Sequence, residues 1–172
     1  MTTANDLTVH AMTVGAFVPL LRQLDKMLEK AEAFAVAKKL DAGVIEGLRV
    51  APDMFTLTRQ VQLTCDFAKN SAYRLDGIDP PKMPDDEQSL ADLRGRVTRT
   101  IALLEALTPD RLAGAEHRHI TVPLRTRTLE LDGLPFIQRW TLPNFYFHLT
   151  TVYALLRHAG VELGKQDFLG GV

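Results

Sequence analysis

The sequence has few of the features that mark secreted, membrane-spanning or nucleic-acid-binding proteins. Cys65 is its only cysteine, so an internal disulfide is impossible and a reducing, cytoplasmic location is the default expectation. Apolar stretches are broken by polar residues well before ~20 positions, so no transmembrane helix is expected. The net charge of −1 offers no electrostatic basis for binding nucleic acid or an anionic membrane. The first residues, MTTANDLTVHAM, lack a basic region followed by an apolar run and do not predict a secretory signal.

What is present suits one globular domain. A chain of 172 residues is expected to form a single domain over residues 1–172. Chains of this length bury about 70% of the surface that they expose when unfolded. The hydrophobic content of 46% is sufficient for such a core.

Four segments carry apolar residues at the three- and four-residue spacing of amphipathic helices. The predicted helices run from Thr8 to Ala37, from Met54 to Leu75, from Ser89 to Leu107, and from after Gly133 through Pro143 to just before Gly160. Pro19 should kink the first helix or open a turn around Gly15. We expect Asp6 or Thr8 to cap the first helix and Asp53 to cap the second.

The segments between the helices complete the predicted fold. Residues 76–86, DGIDPPKMPDD, contain three prolines and four aspartates, which predicts a surface crossover without regular structure. Alternating apolar residues over 117–124 and 126–131 predict a short β-hairpin. The tail after Gly160 is expected to be extended over the surface. The predicted fold is therefore all-α, a four-helix bundle with one long crossover and a short β-hairpin before the last helix.

The last helix is apolar almost all the way round, through Phe145, Phe147, Leu149, Val152, Leu155 and Leu156. Such a helix is buried on most sides. It therefore occupies the centre of the bundle or is shared with a second subunit, and we expect a homodimer formed through bundle helices.

Two stretches, APDMFTLTRQVQLTCDFAKNSAYRL and LPNFYFHLTTVYALLRHAGVELGKQDFLG, resemble an uncharacterised bacterial family, domain of unknown function number nineteen ninety-three. That family is grouped with the DinB/YfiT-like four-helix bundles, a superfamily described as metalloenzymes. The resemblance covers nearly the whole chain. It implies a divalent metal held by three histidines, one from the second helix and two from the last as H-x-x-x-H. Some members use this metal to activate a small thiol cofactor.

Laid on that pattern, this sequence keeps one of the three implied ligands. His148 falls on the second histidine of the last helix and Asn144 on the first. Leu63 falls on the histidine of the second helix, with Asp66 one turn later. The resemblance therefore implies a degenerate metal site.

Asn144 lies four residues before His148 and therefore on the same face of the helix. Three interpretations of His148 are possible. In the first, His148 is a buried histidine hydrogen-bonded to Asn144 or Thr151. In the second, a small molecule binds in a pocket without a metal. The candidate pocket residues are His148, Asn144, Asp66, Gln62 and Thr151. In the third, a metal binds His148 with recruits such as Asp66, Gln62 or His10, although asparagine is a poor zinc ligand.

The other chemically interesting residues have simpler interpretations. His117 and His119 are expected to alternate on one strand face as solvated residues, with weak surface metal binding as the alternative. His158, in the last helical turn, complements the helix dipole. Cys65 is expected to be a small core residue. Asp66 and Lys69 form a solvated pair or, with Gln62, line a polar pocket. Arg94, Arg96 and Arg99 are expected to line a solvated helix face rather than a nucleic-acid site.

Two function classes remain. In the first, the protein has a binding or structural role on the scaffold of a former metalloenzyme, with no cofactor. In the second, it is a divergent metal-dependent enzyme, of the thiol-dependent transferase or hydrolase type, that uses His148 with Asp66, Asn144 or His10.

Overall fold

The computed structural model describes residues 7–171, and it is a helical bundle with one small sheet. Its helices are α1 (Val9–Met12), α2 (Val14–Lys38), α3 (Leu57–Asp76), α4 (Leu90–Glu105), α5 (Gly133–Phe136), α6 (Leu142–His158) and α7 (Lys165–Leu169). A two-stranded sheet, β1 (His119–Pro123) and β2 (Thr128–Asp132), precedes α5. The four long helices pack as a bundle in which α4 contacts both α2 and α3, and α6 contacts α3. The predicted fold class, a four-helix bundle with a hairpin before the last helix, is confirmed.

The first predicted helix is divided, but not at Gly15. Thr13 leaves the helical region, with φ −117° and ψ −85°, and separates α1 from α2. Pro19 lies inside α2 without ending it. The Thr8 side chain caps α1 by accepting a backbone N–H hydrogen bond at 3.0 Å, whereas the alternative cap, Asp6, lies outside the described residues.

Helix α3 begins three residues later than predicted. Its N-cap is Thr56, whose hydroxyl accepts a hydrogen bond from the Arg59 backbone N–H at 3.3 Å, so the prediction of Asp53 as the cap is wrong. The reason is a turn just before the helix, closed by a hydrogen bond from Met54 N–H to the Ala51 carbonyl at 3.0 Å. This turn keeps the preceding residues out of the helix.

The hairpin is shorter than its sequence pattern suggested. The strands pair antiparallel, from His119 opposite Asp132 to Pro123 opposite Thr128. His117 lies in a short 3₁₀ turn before the sheet, so the prediction that His117 and His119 share a strand face is wrong. The backbone N–H of His117 donates to the Gly114 carbonyl at 3.2 Å, which holds His117 in the turn. The alternation of apolar residues along the sequence does not reveal this hydrogen bond.

The last helix is built in three consecutive parts. A π-helical segment, Ile137–Thr141, joins α5 to α6. Pro143 follows two residues later, and because proline has no N–H it cannot satisfy the carbonyl of Arg139 in an α-helical pattern. The wider π turn accommodates this missing donor, so Pro143 disturbs the helix without dividing it.

The tail is not simply extended. Val161 and Leu163 are buried, and α7 packs against α2. Lys30 of α2 donates a hydrogen bond to the Asp167 carboxylate at 2.7 Å. The buried side chains of Val161 and Leu163 thus hold the tail against the bundle, although the sequence after Gly160 shows little helical periodicity.

The predicted inner faces form the core. In α3, every residue of the predicted stripe is buried, namely Leu57, Val61, Thr64, Cys65, Ala68, Ala72 and Leu75. In α6, Phe145, Leu149, Val152, Leu155 and Leu156 are buried, but Phe147 is 55% exposed. The bundle itself therefore does not bury Phe147, and its burial by a second subunit stays a prediction. None of the helices described over residues 7–171 is both long and apolar enough to cross a membrane.

Candidate functional site

His148 lies in the interface between α6 and α3, with 7% of its surface exposed. Its Nδ1 lies 2.7 Å from Oε1 of Gln60, and its ring stacks on Phe67 with centroids 5.4 Å apart and planes 15° from parallel. Because an amide oxygen only accepts hydrogen bonds, Nδ1 carries the proton and donates it to Gln60. Nε2 is then an acceptor, and it has no hydrogen-bond partner within residues 7–171.

His148 is held in its neutral form. Burial, and secondarily the positive charge of Arg59, lowers the pKa of His148 from 6.5 to about 4. An imidazole that loses water but gains no carboxylate resists protonation. The site therefore presents a neutral ring with a fixed tautomer at physiological pH.

The expected partners of His148 are engaged elsewhere. Asn144 donates from Nδ2 to the Trp140 carbonyl at 2.7 Å, and Thr151 donates to the Phe147 carbonyl at 2.7 Å. Trp140 belongs to the π-helical segment, where the backbone pattern is disturbed, so Asn144 supports the backbone there. The prediction that Asn144 or Thr151 bonds His148 is wrong, because Gln60 of the neighbouring helix is better placed.

The donors present do not fit a three-histidine metal centre. Gln60 stands opposite His148 on α3, and Leu63, the position matched to the missing histidine, is an aliphatic residue one turn later. Within residues 7–171 no group of three or more His, Cys, Asp or Glu side chains is placed to hold a metal ion. His10, proposed as a recruit, is on α1, which packs against α2 and the turn at 109–112.

Asp66 and Gln62 belong to a different cluster, centred on Arg96 of α4. At about 100° per residue, Asp66 lies roughly 120° around α3 from Gln60. Arg96 is fully buried and pairs with Asp66 at 2.8 Å, with Asp85 at 3.1 Å and with Glu87 at 3.0 Å. Gln62 donates to the buried carboxylate of Glu87 at 2.9 Å. The five predicted pocket residues are thus divided between two sites.

The solvated face predicted for Arg96 and the solvated pair predicted for Asp66 and Lys69 are wrong, whereas the alternative, a polar cleft lined by Asp66 and Lys69, is present without Gln62. Arg96 does not lie on a solvated helix face, and neither does Lys69, which is 2% exposed. Burial alone would lower the pKa of Arg96, but the charges and hydrogen bonds of Asp66 and Glu87 raise it overall. Burying a guanidinium requires such partners, and the crossover between α3 and α4 supplies Glu87 and Asp85 from outside the helices.

Arg59 connects the two clusters. One of its guanidinium nitrogens donates to Gln62 at 3.1 Å and to Asp85 at 2.5 Å. The same side chain contributes to the lowered pKa of His148. The electrostatic environment of His148 therefore extends to the crossover, although His148 makes no contact with Asp66.

The remaining candidates have structural surroundings. Cys65 is buried, as expected, and burial raises its pKa to about 12, so it carries no thiolate at neutral pH. Arg94 pairs with Asp25, Glu29 and Glu32 of α2. His158 is exposed in the last turn of α6. The ion pairs of Arg94 thus join α4 to α2, and His158 complements the end of α6.

Sequence reasoning missed Gln60, Glu87 and the buried position of Arg96. Gln60 falls on the inner side of α3, between Leu57 and Thr64, so a polar residue within an apolar stripe was the available signal. Glu87 carried no comparable signal, because the crossover has no periodicity from which an inward direction can be inferred.

Comparisons with known proteins agree on the family and the fold. The model of a family described as a domain of unknown function, DUF1993, matches residues 9–169. A crystal structure of a DinB family member protein from Shewanella denitrificans is similar, with 41% sequence identity, a TM-score of 0.88, and coverage of 95% of this chain and 93% of that chain. A search of curated proteins finds no match.

Proposed function

This chain belongs to the DUF1993 family of domains of unknown function, and we propose that it serves as a binding or structural protein in which a hydrogen bond stands where a metal centre would be. The hydrogen bond from His148 to Gln60, at 2.7 Å between α6 and α3, is the observation that carries this proposal. It occupies the pair of helices from which the superfamily's ligands are expected.

The surroundings of His148 favour a structural role. A ligand histidine usually donates its other ring N–H to an outer partner, and Gln60 fills that role here. The ring face, however, is covered by Phe67, and Asn144 uses its amide on a backbone carbonyl. Among residues 7–171, no group of three or more His, Cys, Asp or Glu side chains is placed to complete a coordination sphere.

Elemental analysis of the untagged protein tests this proposal. We expect substoichiometric metal in the wild type and the same content in His148→Ala. His119→Ala, which alters an exposed histidine, is the matched control for loss of a surface ligand. Stoichiometric metal that is lost only in His148→Ala would overturn the proposal.

Stoichiometric metal that is lost only in His148→Ala would instead support a second candidate function. This candidate is a divergent metal-dependent enzyme, of the thiol-dependent transferase or hydrolase type, that uses His148 with Asp66, Asn144 or His10. The unpartnered Nε2 of His148 is the observation that favours this second candidate. With Asp66 as the ligand, this candidate requires Asp66 to leave Arg96, which lies 2.8 Å away, and with Asn144 it requires the amide to leave the Trp140 carbonyl. The first candidate requires no such rearrangement.

We further propose that the outer surface of α6 forms a homodimer contact. A shallow groove of about 470 Å³ runs between α6 and the segment before α3, lined by Val50, Met54, Pro143, Tyr146, Phe147, Thr150, Thr151 and Ala154. None of these residues is charged, and Phe147 and Val50 are 55% and 59% exposed. Uncharged surface of this kind is typical of protein contacts.

Sedimentation velocity at micromolar concentration tests the contact. We expect a dimer for the wild type and for Ile78→Ser, a control that removes an equally apolar exposed side chain from the crossover. Phe147→Ser should give a monomer. A monomeric wild type would refute the contact.

The single buried Cys65 supports a cytoplasmic location, which stays a proposal.

A further inference from the structure

A second cleft, separate from His148, lies between α3 and the proline-rich crossover. It has a volume of about 530 Å³, and its polar lining comes from Asp66, Lys69, Asn70, Arg74 and Lys82. Three prolines of the crossover, Pro80, Pro81 and Pro84, form the opposite wall. The volume falls within the range of roughly 300–1,000 Å³ that is usual for small-molecule sites.

The charge of this cleft is positive, in contrast to the chain as a whole. Lys69, Arg74 and Lys82 line it beside a single carboxylate, Asp66. Asp66 pairs with Lys69 of the lining at 3.7 Å and with Arg96 behind the cleft wall at 2.8 Å, so the side chains that line the cleft carry an excess of positive charge. A cleft with an excess of one sign of charge attracts ligands of the opposite sign.

Arg74 is the one of these cations that is partly buried without an ion pair among residues 7–171. Its side chain is half-buried, and burial lowers its pKa, with Asp79 acting in the opposite sense. Within residues 7–171 it forms no ion pair closer than 4.0 Å and no side-chain hydrogen bond. A guanidinium that has lost part of its water, with its neighbouring carboxylate Asp79 beyond ion-pair distance, is suited to bidentate binding of a carboxylate or phosphate.

Lys69 supplies a second donor on the same side of α3. It is 2% exposed, and its ammonium group donates to the Pro81 carbonyl at 2.6 Å, with Asp66 at 3.7 Å. An ammonium group has three N–H donors, and these two contacts use at most two of them. Asn70, the next residue, adds an amide without a hydrogen-bond partner within residues 7–171.

The far wall of the cleft is held in place before any ligand binds. Lys69 holds the carbonyl of Pro81, and Arg96 donates to the carbonyl of Pro84 at 2.9 Å. Proline also restricts the backbone at both positions. Little ordering is then required on binding, which favours affinity for a small ligand.

We propose that this cleft binds a small molecule carrying a carboxylate or phosphate group, with Arg74 as the principal contact and Lys69, Asn70 and Lys82 around it. The assignment is independent of the proposed role of His148, since the cleft lies on the crossover side of α3. It gives the bundle a ligand site outside the position of the expected metal centre.

Isothermal titration calorimetry at low ionic strength tests the site, with inorganic phosphate and succinate as separate probes. We expect saturable binding of at least one probe, and the preferred probe distinguishes a phosphate ligand from a carboxylate one. Arg74→Gln should weaken binding at least tenfold. Lys82→Gln, at an exposed position that cannot unfold the protein, should weaken it about threefold, as expected for loss of one nearby charge.

Arg125→Gln is the matched control, because it removes one positive charge from the exposed hairpin turn. It should leave the dissociation constant within twofold of the wild-type value. Equal weakening by Arg125→Gln and Lys82→Gln would mean that only net charge matters and would overturn the site. So would the absence of saturable binding of both probes to the wild type, or binding to Arg74→Gln with unchanged affinity.

Discussion

Acidification should destabilise this protein through His148. In the folded state the pKa of His148 is about 4, because burial removes water from the ring. In the unfolded chain it returns to about 6.5. Below pH 6.5 the unfolded state therefore binds the proton more readily, and stability falls as the pH drops towards 4.

The magnitude follows from the size of this shift. A difference of 2.5 pKa units between 6.5 and about 4 corresponds to roughly 3 kcal/mol when titration is complete. At pH 5 the unfolded histidine is almost fully protonated and the folded one is not, so about 2 kcal/mol is lost relative to pH 7.5. For a chain of this size that loss lowers Tm by roughly 4–8 °C.

Chemical denaturation at pH 7.5 and pH 5 measures the effect, with wild type compared with His148→Gln. Carboxylates also titrate over this range, but they do so in both proteins and cancel in the comparison. We expect the stability advantage of the wild type over His148→Gln to shrink by about 2 kcal/mol between the two pH values.

His119→Gln is the control, because the side chain of His119 is 61% exposed. It should follow the wild-type pH dependence. If wild type and His148→Gln lose the same stability between pH 7.5 and pH 5, His148 is not the buried neutral group described here, and the reasoning about its site fails.

Two other substitutions test the two clusters, and a third, with its control, tests the close approach of Gly133 to the backbone at Ala115. Gln60→Leu leaves the Nδ1–H of the histidine without an acceptor and should cost about 1–3 kcal/mol in urea denaturation, and no loss would mean that this hydrogen bond contributes nothing. Arg96→Met leaves the buried carboxylate of Glu87 without its nearest counter-ion and should cost about 3–5 kcal/mol, whereas equal or higher stability would contradict the pairing. Gly133→Ala should prevent stable folding as judged by circular dichroism, because a Cβ would overlap the backbone carbonyl of Ala115. Gly15→Ala, where the added Cβ meets only an ordinary contact at 3.6 Å, should fold normally, and similar behaviour of the two glycine variants would show that the overlap is relieved.

The helices were predictable because their periodicity is local. The apolar stripe of α3 predicted its buried face, and Ser89 was expected as the start of the third helix and caps it. Helix starts were less predictable where a turn competed, as at Thr56. The apolar surface of α6 did not reveal which of its sides the bundle covers, and Phe147 lies on a side that the bundle leaves exposed.

The candidate site was predictable only in part. His148 stood out as a polar residue within an apolar helix, and its burial follows from that pattern. Its partner did not, because Gln60 is 88 residues away and nothing in the local pattern relates the two. Arg96 and Lys69 were assigned to solvated surfaces because charge in a helix usually faces water.

The sequence alone indicated the four amphipathic helices, the hairpin, the family resemblance and the importance of residue 148. Each of these depends on the spacing or identity of residues that are close together in the chain. Only the tertiary structure decided that Gln60 faces His148 and that the crossover folds its carboxylates onto Arg96. It also decided that Arg74 lies beside a row of prolines with no ion pair among residues 7–171. The physical reason is that a buried polar group must find partners wherever the folded chain supplies them, and those partners come from segments that are distant in sequence.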